Sequence, residues 1–318
     1  MLDVNGEHGL YPVSPGHSPA MNSPAESPLY RPAMTAAGLS PSHPVEVVDE
    51  YGLPRDVHVA GERPLTLYVD KREIVTLMTL GSAPELLVLG YIRNQGFLQS
   101  LESIRSVQVD WETDSAAVTT LNGVDDWEQK LAHRTVTTGC GQGTVFGNLM
   151  DKLEQIRLPP VVLRQSEIYR TLQRVNEYNE VYRRAGAVHG CALCHGEDIE
   201  IFVEDVGRHN AADAISGHMW LQGLAGTGRI FYTTGRLTSE MVIKVALMGI
   251  PILVSRSGVT SQGMDLARQI GVTLIARAKG RHFLVYHGAQ SLVFDAIPEA
   301  RPEARPEPRR RAAADEAE

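Results

Sequence analysis

Residues 199–210 read Ile199-Glu200-Ile201-Phe202-Val203-Glu204-Asp205-Val206-Gly207-Arg208-His209-Asn210. An apolar run rich in β-branched and aromatic side chains ends there in a dense polar junction, and the residues that follow, up to 221, carry helical spacing. The same order recurs down the chain. Residues 229–233 read as a strand and 238–248 as a helix, 250–254 as a strand and 261–270 as a helix, then 272–276 and 283–286 as strands. This alternation predicts right-handed crossovers and a largely parallel sheet covered by helices. Just upstream, 187–194 and 199–204 read as a hairpin around Glu197-Asp198. In such sheets ligands bind beyond the carboxyl ends of the strands, at the loops that open helices.

Those loops are polar. Asp205, Arg208, His209 and Asn210 stand at a strand-to-helix junction, where they can meet an anion with charge-assisted hydrogen bonds or form a network that caps the helix. Thr234-Gly235-Arg236-Leu237-Thr238-Ser239-Glu240 places a glycine, an arginine and a hydroxyl pair (Thr238, Ser239) at a helix start, an arrangement that suits phosphate. Ser255-Arg256-Ser257-Gly258-Val259-Thr260-Ser261 repeats it one unit later, and Arg277-Ala278-Lys279-Gly280-Arg281-His282 contains a basic turn between the last strands. Four polar junctions on one expected edge, three of them basic, point to a large polyanionic ligand such as a nucleotide.

The first half differs. Residues 65–69 and 73–77 read as two strands joined by an Asp-Lys turn, 84–98 as a helix with Pro84 at its start, and 104–121 as another hairpin, together a small α+β domain. Eight of the 18 prolines fall in residues 1–44, among repeated Ser-Pro steps, and residues 299–318 mix Arg, Glu, Pro and Ala. Neither stretch can bury enough apolar surface to offset the entropy of ordering, so both read as disordered tails. The expected division is a tail at 1–44, an α+β domain at 45–160, an α/β domain at 161–298 and a tail at 299–318. The 318 residues carry 30 Lys+Arg against 38 Asp+Glu, a net charge of −8, which offers no general attraction to nucleic acid or anionic membrane. No secretory signal pattern opens the chain, and its longest apolar stretch, 245–254, is about half of a membrane span. A cytoplasmic location is the expectation.

Three cysteines cannot form a paired disulfide framework, and so few fit a reducing compartment. Cys140 stands in Thr138-Gly139-Cys140-Gly141-Gln142-Gly143-Thr144, before an amphipathic stretch. The glycines argue for an exposed thiol, which a following helix N-terminus would acidify; a small buried hydrophobe is the alternative. Cys191 and Cys194 form Cys191-Ala192-Leu193-Cys194-His195, with His189 close by. Two thiolates and two imidazoles suit zinc, but alternate residues of a hairpin strand face opposite sides, so the two thiols diverge unless a bulge intervenes. The H-x-E of zinc deaminases is absent at His189-Gly190-Cys191.

These residues together resemble the FdhD family, accessory sulfurtransferases of formate dehydrogenase, from about residue 62 to 298. Glu204-Asp205-Val206-Gly207-Arg208-His209-Asn210-Ala211 is similar to the family's E-D-V-G-R-H-N-A hallmark. Gly235-Arg236-Leu237-Thr238-Ser239-Glu240, with Lys244 beyond it, is similar to its S-G-R-x-S-x-E loop, and residues 77–91 match its N-terminal segment loosely. The resemblance implies a cytidine-deaminase-like three-layer α/β/α second domain and a homodimer. It implies transfer of sulfur from a cysteine desulfurase, through a persulfide on Cys140, to the molybdenum cofactor of formate dehydrogenase or another molybdoenzyme. It also implies that 277–282 contact that cofactor, bis(molybdopterin guanine dinucleotide), with Asp205, Arg208, His209, Asn210, Arg236, Thr238 and Ser239 as further candidate contacts. The family usually shows C-x-x-C at the Cys140 loop, and here Gly143 holds the second position. A non-catalytic cofactor-binding chaperone and a zinc enzyme using His189, Cys191 and Cys194 are the alternatives.

Overall fold

The computed structural model describes residues 29–124, 134–135, 144–145, 153 and 156–298. In chain order the strands of the first half are β1 (Ala33–Met34), β2 (Ser42–Val48), β3 (Pro54–Ala60), β4 (Arg63–Val69) and β5 (Arg72–Thr79). Helix α1 (Pro84–Asn94) follows, then β6 (Ile104–Asp110) and β7 (Ser115–Thr120). Two short strands, β8 (Arg134–Thr135) and β9 (Thr144–Val145), pair with each other. The first sheet has the order β1-β6-β7-β4-β5. Its β4–β5 hairpin turns at Asp70 and Lys71, both with positive φ (47° and 70°), the backbone of a two-residue turn matched to strand twist. Pro84 sits in the first turn of α1, where its missing N–H costs nothing. Leu87, Val88, Tyr91 and Ile92 bury against Leu65, Leu67, Leu77, Val107 and Val118.

Residues 29–44 of the expected tail are ordered, and residues 1–28 and 299–318 lie outside the described residues. Tyr30 donates to the Ile104 carbonyl at 2.7 Å, β1 pairs with β6, and Thr35 and the Ala37 amide both donate to Glu85. The segment forms no core of its own; its backbone is satisfied by the domain it crosses, a non-local effect that composition does not carry. The β2–β3 hairpin, also unread from sequence, packs beside a short helix of the second half.

The second half holds β10 (Leu163–Arg164), α2 (Gln165–Tyr178), α3 (Glu180–Ala185), β11 (His189–His195), β12 (Asp198–Asp205), α4 (Arg208–Gln222), β13 (Arg229–Thr233), α5 (Ser239–Leu247), β14 (Ile252–Ser255), α6 (Ser261–Ile270), β15 (Thr273–Lys279), β16 (His282–His287) and β17 (Leu292–Val293). The main sheet runs β12-β11-β13-β14-β15-β16. Within it, parallel pairing is confined to β13–β14 and β14–β15; β11 is antiparallel to both neighbours, and β16 to β15. The expected largely parallel sheet is therefore mixed. The turns at 196–197 and 280–281 are too short for a crossover, so the strands they join must be antiparallel.

One sheet face, through Cys191, Leu193, Phe231, Leu253 and Leu274, buries against α4, α5 and α6. The other, through Ala192, Cys194, Ile230, Tyr232 and Val254, buries against Ile168, Leu172 and Val175 of α2. The result is an α+β protein whose second half is a three-layer α/β/α sandwich. Helix α2 shows the i, i+4, i+7 spacing of an amphipathic helix, a signal present in the sequence but not read there.

The two halves meet at α1 and α4, whose backbones nearly touch. A Cβ on Gly90 would lie 1.6 Å from the Asp213 carbonyl oxygen, and one on Gly217 would lie 2.0 Å from that of Leu86. A buried polar network crosses the same contact: Asn94 donates to Asp213 at 2.7 Å, Ser216 to Asn94 at 2.9 Å, and Lys244 to both Asp213 oxygens at 2.7 and 2.6 Å.

Candidate functional site

The carboxyl ends of β13, β14 and β15 open on one edge of the main sheet, and three adjoining cavities form a trough there. The first, about 370 Å³, is lined by His189, Thr234, Arg256, Ser257, Arg277 and Tyr182 among others. The second, about 110 Å³, shares Arg256 with the first and adds Ala278, Lys279 and Gly280. The third, about 440 Å³, shares Gly280 and Asn176 with the second and adds Tyr169, Arg170 and Arg281. Five basic side chains thus follow one another along the edge: Arg277, Arg256, Lys279, Arg281 and Arg170. Two are held on aromatic faces, Arg281 over Tyr169 at 5.1 Å and Arg256 over Tyr182 at 6.0 Å. Arg277 takes a left-handed backbone (φ 55°) where the β15–β16 register shifts, anchored by its amide to the Ser257 carbonyl at 2.8 Å. Such strain in a non-glycine residue persists only where the surroundings fix it, and it clusters at ligand sites.

Of the residues singled out from sequence, Arg277, Ala278, Lys279, Gly280 and Arg281 line this trough, and His282 is half-buried on β16 beside it. Arg236 is exposed at the loop after β13, while Thr238 and Ser239 open α5 outside the trough lining. Asp205 and Asn210 are spent elsewhere. Asp205 accepts hydrogen bonds from Thr79, the Leu80 and Gly207 amides and Asn210, and Asn210 also donates to the Met78 carbonyl. Burial pushes the Asp205 carboxyl up despite these donors. Together they tie the junction to β5, with both Asp205 oxygens and the Asn210 amide nitrogen engaged within the protein. Glu204 likewise accepts from the Val181 and Tyr182 amides, capping α3.

Arg208 and His209 are buried beneath the edge. Arg208 lies across Gly235, where a Cβ would come within 2.4 Å of its side chain. His209 sits 3.4 Å from Glu240, and burial, reinforced by Lys244 and Arg208, holds its imidazole well below the ordinary histidine range. Sequence reasoning left Tyr169, Arg170, Asn176 and Tyr182 out of the site. They come from α2 and α3, on the opposite face of the sheet from the helix-opening loops, and no local motif marks them.

Cys191 and Cys194 bury on opposite faces of the sheet, in two different cores. The one register irregularity near them leaves Glu200 of β12 unpaired, so the alternation of β11 is kept. Burial pushes both thiols up to about 12. Among the described residues no three His, Cys, Asp or Glu side chains are grouped as metal ligands, and the zinc reading fails on geometry. Cys140 lies outside the described residues. Among the described residues no helix is long and apolar enough to cross a membrane.

A three-layer sandwich with a basic trough across its strand ends, locked to a small α+β domain by glycine-mediated helix contact, defines the class of this α+β protein. The family model described as the FdhD/NarQ family matches residues 60–293, and the chain belongs to that family. It is 29% identical over 232 residues to the sulfur carrier protein FdhD of Wolinella succinogenes, covering 73% of this chain and 80% of the relative. It is also 29% identical over 238 residues to the sulfur carrier protein FdhD of Listeria innocua, covering 74% and 91%. Among solved structures, a protein from Desulfotalea psychrophila assigned as a formate dehydrogenase accessory protein superposes with a TM-score of 0.63 at 28% identity, covering 79% of this chain and 98% of that one.

Proposed function

We propose that this chain is a cytoplasmic, homodimeric sulfur carrier. It takes sulfur from a cysteine desulfurase as a persulfide on Cys140 and passes it to the molybdenum cofactor of formate dehydrogenase or another molybdoenzyme. The observation that carries this reading is the basic trough. Arg256, Arg277, Lys279 and Arg281 along one edge supply the donor set that the diphosphates of bis(molybdopterin guanine dinucleotide) require, and Tyr169 and Asn176 supply an aromatic face and an amide beside them. The cofactor is here the substrate that receives sulfur.

The thiol inventory supports Cys140 as the carrier. A persulfide forms on a thiolate that both donor and acceptor can reach. Cys191 and Cys194 are fully buried with thiols near 12, which leaves Cys140 among the chain's three cysteines. The same burial removes both as partners for a disulfide that would release the sulfur, so a carrier with Gly143 in the second position works through one thiol.

Incubation with a desulfurase and cysteine, followed by intact mass measurement, tests this. The expected result is a mass gain of one sulfur that is lost in Cys140→Ser and reversed by a reductant. No gain, with cofactor binding retained, would instead support a non-catalytic chaperone that presents the cofactor.

A further inference from the structure

The first trough cavity contains a group that sulfur carriage does not use. His189, half-buried at the start of β11, lines it together with Arg256, Arg277, Thr234 and Ser257. It is the one imidazole among the residues lining the three cavities. The Thr234 hydroxyl accepts the Gly190 amide at 3.1 Å and lies 3.3 Å from His189 Nδ1. With its own proton to give and a second lone pair to accept with, that hydroxyl can partner Nδ1 whether the ring is neutral or protonated.

The charges around the ring are overwhelmingly positive. Arg208 at the start of α4 and Arg236 after β13 act on it, and Arg256 and Arg277 share its cavity, while buried His209 is held in its neutral form. The nearby carboxylates are engaged. Asp205, opposite His189 in the β11–β12 register, binds Thr79, Leu80, Gly207 and Asn210; Glu204 caps α3; Glu240 faces His209. Burial first, then Arg208 and Arg236, hold the free imidazole below its ordinary value, so it is neutral at neutral pH. An anion held between Arg256 and Arg277 would bring negative charge into the cavity that His189 lines, which favours the protonated ring.

We propose that this cavity binds a phosphate-type dianion between Arg256 and Arg277, and that His189 takes up one proton as the anion binds. The proposal rests on reading the trough as an anion site. Linkage then requires affinity to rise as pH falls, by up to about tenfold per pH unit where the free ring is neutral and the bound ring protonated. Above that window binding becomes independent of pH.

Sulfate is a suitable first probe, because it is a dianion that does not itself titrate in this range; inorganic diphosphate and guanosine diphosphate form second and third arms that separate a free from a nucleotide-borne phosphate. Histidine NMR titrations of the full chain, with and without saturating sulfate, read the proton directly. The expected result is one resonance, absent in His189→Gln, whose midpoint rises with sulfate, while Arg277→Ala removes both the binding and the rise. His189→Gln should still bind sulfate, with the pH dependence gone. Sulfate binding with no change in the His189 midpoint overturns the proposal, as does a shift that persists in His189→Gln. Should that variant fail to fold, calorimetry of the unmodified chain decides. At about pH 6, heats in buffers of different ionisation enthalpy must show proton uptake, and a buffer-independent heat overturns the proposal. If none of the three anions binds, the trough reading itself falls.

Discussion

Replacing Gly217 by alanine tests the contact that joins the two halves of the molecule. The new Cβ would lie 2.0 Å from the Leu86 carbonyl oxygen and 2.9 Å from the Gly90 amide nitrogen. Ordinary contact needs roughly 3.5–4 Å, so α1 and α4 must part by more than 1 Å along a face that also carries Asn94, Asp213 and Ser216. Overpacking costs about 1–3 kcal/mol where side chains can yield. Here the obstacle is backbone, and the cost is placed at about 3 kcal/mol or more. At roughly 2–4 °C per kcal/mol for a chain of this size, the thermal midpoint should fall by about 6–12 °C. Circular dichroism melts of Gly217→Ala and Gly90→Ala measure it, with Gly258→Ala as control, since a Cβ there meets nothing within 4 Å. A Gly217→Ala midpoint equal to that of the control would refute the close packing.

Other outcomes follow from the same structure. Lys244→Met strands Asp213, which has no exposed surface, and should cost about 3–5 kcal/mol by urea unfolding, with most of it recovered in Lys244→Met/Asp213→Leu. Asp205→Asn turns an amide toward four donors and should cost about 1–3 kcal/mol although its shape is unchanged. The depressed imidazole of His209 binds its proton more readily unfolded than folded, so stability should fall as pH drops below about 6.5, by at most about 1.4 kcal/mol per unit for this one group. His209→Gln should flatten that limb. Native-state alkylation at mildly alkaline pH should label Cys140 and spare Cys191 and Cys194, which react only on unfolding. Lys279→Ala and Arg281→Ala should each weaken guanosine diphosphate binding about five- to tenfold and lessen its salt dependence; unchanged affinity would place the phosphates elsewhere.

The sequence by itself determined what local chemistry can encode. The strand-helix alternation from 199 to 287 lies where periodicity puts it, as do the Asp70-Lys71 turn, the start of α1 at Pro84 and the basic turn at 279–281. Each depends on neighbours a few residues apart, through side-chain period, a positive-φ turn or a missing N–H. The thiol divergence of Cys191 and Cys194 was legible for the same reason, since strand alternation is local. Tertiary structure decided the rest. The same polar junction holds Asp205 and Asn210, which face β5 and are consumed there, and Arg208 and His209, which are buried below the edge, and nothing in a twelve-residue string sorts them. The trough joins Arg170 on α2, Arg256 after β14 and Arg277 on β15, residues brought together only when the sheet and its far-side helix close. Residues 29–44 are ordered because β6 and Glu85 supply partners about 50 to 75 positions away. Helical and hairpin contacts repeat along the chain and leave a pattern in it; a site assembled from distant segments leaves none, because its geometry exists only after the long loops between them have closed.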